Sequence, residues 1–311
     1  MKNIAILGPG NIANRVAKGV ICSPKANLYA VASRNIDKAK SNNEVFRIMA
    51  VEADGTIKVV AQNTIGNVVW DPGYSTSISG VTSANSISGT RYSSNSNDYC
   101  YYSSSNTEYY GCNVWGSKTT MLDKNGNNVT VMPKELDSSV TYNLPSAEAY
   151  LNVYLNTTYL NSMESNFRTK IATHKFHVGN LAHESGQTLK TDVLQESAYK
   201  WKGKIGIINA TDYVRASNNS SCISAYEYFN NENCHSNGNN HNYLFHSSYE
   251  WTMSPRFGSA SFYVWHVSAS GYISHYNQAP NARGIFPVFY LIPDIILSGT
   301  GTEMDPYVIE N

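Results

Sequence analysis

Charge is what this sequence has least of. Only 15% of its 311 residues are Asp, Glu, Lys or Arg, against ~25% in ordinary soluble chains. The 23 basic and 23 acidic residues cancel, which excludes an electrostatic footprint for nucleic acid and a polybasic membrane patch. No run of 18 apolar residues exists, so no transmembrane segment is expected. Gly8, Pro9 and Gly10 interrupt the apolar start, so no export signal is expected in the chain as written. A G-x-S-x-G elbow, an H-E-x-x-H helix and a P-loop are all missing. Tyr, Ser, Asn, Thr and Gly fill the gap. Such a surface draws its solubility from hydroxyls and amides, as adaptable binding surfaces do. An ordinary exported β protein has the same composition.

The first residues read as strand, turn, helix, strand. Ile4 to Leu7 is a short apolar run suited to a buried parallel strand, and Leu28 to Ala32 is a second. Ile12, Val16 and Val20 between them keep helical spacing. From about Glu44 the texture changes. Val45–Val51 and Thr56–Val60 read as strands joined across Asp54-Gly55. A Ser/Tyr/Asn/Gly tract runs from Trp70 to Met121, and a loop that long is expected to be functional, disordered or held by something other than a core. Ser146 is the expected cap of a helix whose Leu151, Leu155 and Tyr159 form an inward stripe. Lys204–Asn209 reads as a buried strand and Ala216–Asn242 as a second polar loop. Short strands are expected at Trp251–Ser254, Phe262–Val267, Tyr272–His275 and Val288–Leu291, with a turn at Ser270-Gly271.

Five cysteines divide the chain. Cys100 and Cys112, and Cys222 and Cys234, form two pairs, each twelve positions apart inside a polar loop. Four cysteines permit three connectivities, and the equal spacing favours 100–112 with 222–234. Closing such a loop is worth roughly 3 kcal/mol in the chain-entropy model, and disulfides persist in oxidising compartments. Zinc is the rival reading, but the spacing is unlike the short C-x₂₋₄-C of zinc sites. Cys22 is left over, a thiol that belongs with a cytosolic fragment, so the two parts ask for different compartments.

Gly8, Gly10 and Ala13 match G-x-G-x-x-A directly after a strand and before a helix. The glycines allow a tight turn and close approach of pyrophosphate, which would sit on the helix N-terminus near Asn11 and Ile12. Ser33 and Arg34 stand where an acidic residue would take the ribose hydroxyls, which suits a 2′-phosphate and hence NADP. IAILGPGNIA followed by LYAVASRNIDKAK resembles the N-terminus of the Gfo/Idh/MocA oxidoreductases over about 40 residues. That resemblance implies nucleotide binding through residues 8–34. The family's Glu-Lys-Pro strand is absent from the sequence. One βαβ unit cannot place a hydride acceptor against a substrate, so the expectation is a vestigial fragment that binds no cofactor.

The remainder carries FRIMAVEADGTIKVVAQ, IGNVVWDPGYSTSISG, GKIGIINATDYVRAS, WTMSP, YVWHVSASG, GIFPVFYL and SGTGTEMDPYVI. Together these resemble a bacterial surface-protein domain that often follows a prepilin-like anchor and is related to C-type-lectin-like and sulfatase-modifying-factor-like folds. Phe286 departs from the closing motif, which usually has Arg there. The resemblance implies an α+β, β-rich, C-type-lectin-like body with few helices over residues 44–311, divided at about 140, preceded by a truncated Rossmann βαβ unit over residues 1–40. It also implies a solvent-facing ligand set on the last strands: Tyr263, Trp265, His266, Ser268, Tyr272, His275, Tyr276 and Asn277. Trp and Tyr would supply flat contact area, and the others hydrogen bonds.

His174, His177 and His183, and His235, His241 and His246, lack the spacing of a known metal site and read as scattered surface histidines. Glu250 and Asp294 are too isolated for calcium. The leading expectation is therefore a non-enzymatic extracellular or cell-surface module for a glycan or protein ligand, without metal or cofactor. The alternative is an NADP-dependent oxidoreductase. A third reading joins two genes by assembly artefact at the abrupt change between Lys40 and Glu44.

Overall fold

The computed structural model describes residues 2–7, 26–32, 39–41, 44–72, 91–101, 111–217, 219, 222, 224–234, 242–258, 262–295, 297–298 and 307–309. In chain order the strands are β1 (Lys2–Leu7), β2 (Ala26–Ala32), β3 (Ala39–Ser41), β4 (Glu44–Val51), β5 (Ile57–Ala61), β6 (Asn67–Val69), β7 (Met121–Asp123), β8 (Val131–Met132) and β9 (Tyr142–Asn143). There follow β10 (Ile171–Ala172), β11 (His174–His177), β12 (Tyr199–Gly203), β13 (Ile205–Gly206), β14 (Glu250–Pro255), β15 (Tyr263–Val267), β16 (Ile273–Gln278), β17 (Ala282–Gly284), β18 (Val288–Leu291), β19 (Leu297–Ser298) and β20 (Val308–Ile309). Among the described residues strand outweighs helix, which makes the fold α+β and β-dominated.

β1 and β2 pair in parallel as a sheet of their own. The strands expected at Ile4–Leu7 and Leu28–Ala32 are there; the dinucleotide-motif residues Gly8, Gly10, Asn11, Ile12, Ala13, Ser33 and Arg34 lie outside the described residues. β3 pairs antiparallel with β4, Ser41 facing Glu44, so the change of sequence texture falls inside a hairpin of the larger sheet. That sheet runs β10-β18-β5-β4-β3 with β13 also on β18, and all its pairings are antiparallel. The β4–β5 turn is the expected Asp54-Gly55: Gly55 takes φ 87°, and the Asp54 carboxylate accepts from Thr56 N at 3.0 Å. A left-handed glycine after an Asx-type acceptor closes such a turn without strain.

The second large sheet is β16-β15-β14-β17-β6, in which β14 and β17 run parallel and the other pairs antiparallel. β14, β15, β16 and β18 appear where alternation placed them; β6 and β17, three residues each, were not anticipated. The reading of Lys204–Asn209 as one strand is corrected. Pairing stops after Gly206, and Ile208 instead accepts from Met253 N at 2.8 Å just before the next helix.

The helices are short: α1 (Tyr150–Tyr154), continuing through a π-helical turn at Leu155–Tyr159 into α2 (Leu160–Ser162), then α3 (Ser165–Thr169), α4 (Leu189–Glu196), α5 (Ala210–Arg215) and α6 (Ala225–Asn230). Leu151, Leu155 and Tyr159 are buried as the stripe requires. Ser146 is not the cap, however: Ala149 occupies that position and makes no side-chain cap bond. The free N–H groups find distant acceptors, Tyr150 N at the Asp71 carboxylate (3.4 Å) and Leu151 N at the Trp70 carbonyl (3.0 Å). Helix starts must satisfy these donors somewhere, and here the polar tract does it.

The described part of that tract, residues 70–72, 91–101 and 111–121, is a core element. Trp70, Tyr99, Val114 and Trp115 are fully buried, and Trp70 stands edge-on to Trp115 at 4.9 Å and to Trp251 at 6.2 Å. Trp115 in turn meets Trp201 at 6.0 Å. Four of the five tryptophans thus line up through the molecule, each burial contributing about 4–6 kcal/mol of transfer free energy. Beside them Arg91 and Asp71, both side chains wholly buried, form an ion pair at 2.8 Å. Both expected disulfides are formed, Cys100–Cys112 and Cys222–Cys234.

Candidate ligand-binding surface

Of the eight side chains expected to face a ligand, Tyr276 is exposed (58%) and Tyr263 and Tyr272 are half-buried. Trp265, His266, Ser268, His275 and Asn277 are buried. The reason is layering. β15 lies inside its sheet with both faces covered, so alternation sends Trp265 and His266 into two different packed layers rather than one into solvent. Trp265 Nε1 donates to the Leu181 carbonyl at 3.0 Å, while His266 packs near Trp251 and Tyr249. Asn277 Oδ1 accepts from Asn281 and Arg283 at 2.7 and 3.0 Å, and Ser268 Oγ accepts from Ser270 N at 3.2 Å to close the Ser270-Gly271 turn. Those roles are structural.

The exposed part of the hairpin belongs to a larger aromatic group. His275 lies 4.0 Å from the His183 ring, 4.8 Å from Phe229, 5.1 Å from Trp265 and 3.8 Å from Tyr276. Phe229 also approaches Tyr276 at 5.8 Å and Tyr272 at 6.3 Å, and His183 approaches Tyr226 at 4.9 Å. Tyr226 and Phe229 sit on α6, inside the stretch expected to be loop. The signal for that helix was present in Ser224-x-x-Glu227: the Ser224 hydroxyl accepts from Glu227 N at 3.2 Å, as an N-cap does. The Cys222–Cys234 disulfide brackets the helix, joining the segments on its two sides. His183, Tyr226, Phe229, Tyr272 and Tyr276 all keep part of their surface in solvent.

The polar side of this group is Arg256, at the end of β14. Its guanidinium lies 5.6 Å from the Tyr263 ring centre and 5.4 Å from that of Tyr276. Buried Nε has no hydrogen-bond partner, and neither ring nitrogen of fully buried His275 has one. Burial and the neighbouring His183 and Arg256 charges hold the His275 imidazole neutral, with its pKa down to about 3. Burial and Arg256 lower His183 as well.

The remaining histidines are occupied elsewhere. His174 stacks on Tyr290 at 3.7 Å. Burial and Lys58 take His177 down to about 4. His246 stacks on Phe286 at 3.8 Å and reaches the buried Glu250 at 3.0 Å. Phe286, which the resemblance would make an arginine, therefore helps to hold the imidazole that partners Glu250. His235 and His241 lie outside the described residues. Among the described residues no group of three or more His, Cys, Asp or Glu is placed to hold a metal ion, and no helix is long and apolar enough to cross a membrane.

One further polar cluster is wholly internal. Glu196 accepts from the Thr211 and Ser254 hydroxyls, and Ser254 Oγ accepts from Ala210 N at 2.9 Å. Burial raises the Glu196 pKa to about 7. With every member buried, the cluster ties α4, α5 and β14 together and is closed to substrate. It accounts for the Ser of the Trp251-Thr252-Met253-Ser254-Pro255 phrase. Thr252 Oγ1, donating to the Trp265 carbonyl at 2.7 Å, accounts for the Thr.

Comparison with known proteins finds no matching family model, no matching curated protein and no matching solved structure.

Proposed function

We propose that residues 44–311 form an exported, C-type-lectin-like binding module without catalytic activity, displayed at the cell surface or outside the cell, and that its ligand rests on the aromatic group around Tyr276 and Phe229. The carrying observation is the partly exposed set of rings that α6 and the β15–β16 hairpin present together, with a disulfide bracketing α6. Partly exposed tyrosines and phenylalanines in one patch offer large, rigid contact area at low entropy cost, as recognition surfaces do. Two disulfides inside polar loops favour an oxidising compartment, and no group in the patch has the geometry of a nucleophile with its base.

The test is binding of the disulfide-intact protein to an array of glycans and extracellular proteins, wild type beside Phe229→Ser/Tyr276→Ser. Binding lost in the double variant, with an unchanged melting temperature, supports the reading; binding to nothing, or binding indifferent to both changes, overturns it.

The parallel β1–β2 pairing favours a second, narrower reading for the first 40 residues, a vestigial NADP-type unit. NADPH fluorescence on titration checks it, and enhancement at micromolar cofactor would restore the oxidoreductase alternative.

A further inference from the structure

Arg256 is the feature of the patch that a neutral ligand would leave unexplained. Its guanidinium is held over two tyrosine rings, with no carboxylate within ion-pair reach among the described residues. Nε is buried and unpartnered. A buried guanidinium donor without an acceptor costs free energy that an incoming oxyanion recovers. The fully buried Arg91 is held quite differently, donating to Asp71 and three backbone carbonyls. Half-exposed His183 borders the patch, and His275 lies buried against it, the two rings 4.0 Å apart. Around these cationic or donor groups lie Tyr276, Tyr263 and Phe229, flat rings of the kind on which the C–H face of a pyranose packs.

Resting on the binding-module reading above, we propose that the patch binds an acidic carbohydrate: a pyranose ring stacks on Tyr276 and Phe229 while its carboxylate takes the fork of Arg256. A planar guanidinium matches a carboxylate through two parallel hydrogen bonds, which an ammonium cannot reproduce. The arrangement therefore selects a uronic or sialic acid over a neutral hexose of the same size.

Isothermal titration with digalacturonate and 3′-sialyllactose, against lactose and maltose, tests this on the disulfide-intact full chain. The expected result is binding of at least one acidic probe at least tenfold tighter than either neutral sugar. Arg256→Gln should remove that preference and Arg256→Lys should recover little of it, with each variant's melting curve serving as the folding control. Equal binding of acidic and neutral sugars, or a preference that survives Arg256→Gln, overturns the ligand class and leaves the binding module standing. Array binding confined to proteins also overturns it. Silence on the array and in every titration removes both.

Discussion

The strongest test of how the polar tract is held is the loss of Arg91. Its side chain and that of Asp71 are fully buried; Arg91 also donates to the carbonyls of Ala147, at 2.8 Å, and of Cys112 and Val114. Asp71 in turn accepts from Cys112 N at 3.1 Å, from Tyr150 N at 3.4 Å and from the Tyr92 hydroxyl. One ion pair thus joins the tract to the start of α1 and to the Cys100–Cys112 loop. Arg91→Met keeps most of the volume but leaves a carboxylate and three carbonyls in the interior without their donor. Breaking a buried pair from one side costs about 3–5 kcal/mol, and at ~2–4 °C per kcal/mol for a chain of this order the melting temperature should fall by roughly 6–20 °C. Replacing both partners, as Asp71→Leu/Arg91→Met, should recover part of that loss, because the penalty comes from the unpaired charge. Urea unfolding followed by tryptophan fluorescence measures it through the buried Trp70 and Trp115 nearby. A single variant costing under about 1 kcal/mol, or a double variant worse than the sum of the two singles, would refute the account.

Three further outcomes follow from the same packing. Cys222→Ala/Cys234→Ala should cost about 3 kcal/mol through loop closure and loosen α6, seen as faster hydrogen exchange at residues 225–230; unchanged exchange there would mean the disulfide does not anchor the helix. Glu196 has its pKa raised from 4.5 to about 7 by burial, so the folded state binds its proton more tightly than the unfolded chain. Its contribution is full below pH 4.5 and is lost as pH rises towards 7, on the order of 3 kcal/mol; Glu196→Gln should flatten that slope, whereas an identical slope in both proteins would exclude Glu196 as its source. Gly179→Ala would put a Cβ 2.2 Å from the Gln195 carbonyl and 2.8 Å from that of Glu196, both backbone atoms, so a loss of about 1–3 kcal/mol is expected; a neutral change in urea midpoint would show that the end of α4 can yield.

Local pattern made the strands, the Asp54-Gly55 turn and the pairing of the cysteines legible, since alternation, turn chemistry and spacing are properties of neighbouring residues. What escaped depends on partners far away in sequence. The cap of α1 is supplied by residues nearly eighty positions upstream, so Ser146 looked like the answer locally and was not. β6 and β17 are three residues long and exist because they pair with each other, Val68 facing Arg283. The site was legible in half. The hairpin was named, but alternation was taken to mean one wet face, and Trp265 and His266 are covered on both sides. Arg256 and Phe229 gave no sign in the sequence, because only the fold brings β14 and α6 to the same rings.

The low charge and the abundance of Tyr, Ser and Asn then need two explanations rather than one. Part of that composition does face solvent, at Tyr276, Tyr249 and Tyr243. Much of it is interior: Asn180 donates to the Tyr99 hydroxyl at 2.8 Å, Tyr213 donates to the Gly271 carbonyl at 3.1 Å, and Asn242 donates to the Tyr213 carbonyl at 2.7 Å and to the Tyr228 hydroxyl at 3.2 Å. Amide and hydroxyl side chains here satisfy one another and backbone carbonyls in the interior, as buried polar groups require. A chain built this way can carry irregular segments through its core with few ions to neutralise, and the fully buried Asp71–Arg91 pair marks the junction of three of them. Tyrosine content alone therefore does not locate a recognition surface in this protein. The informative residues are those where a ring stays partly exposed beside a donor that the fold leaves unmatched, and Tyr276 with Arg256 meets both conditions.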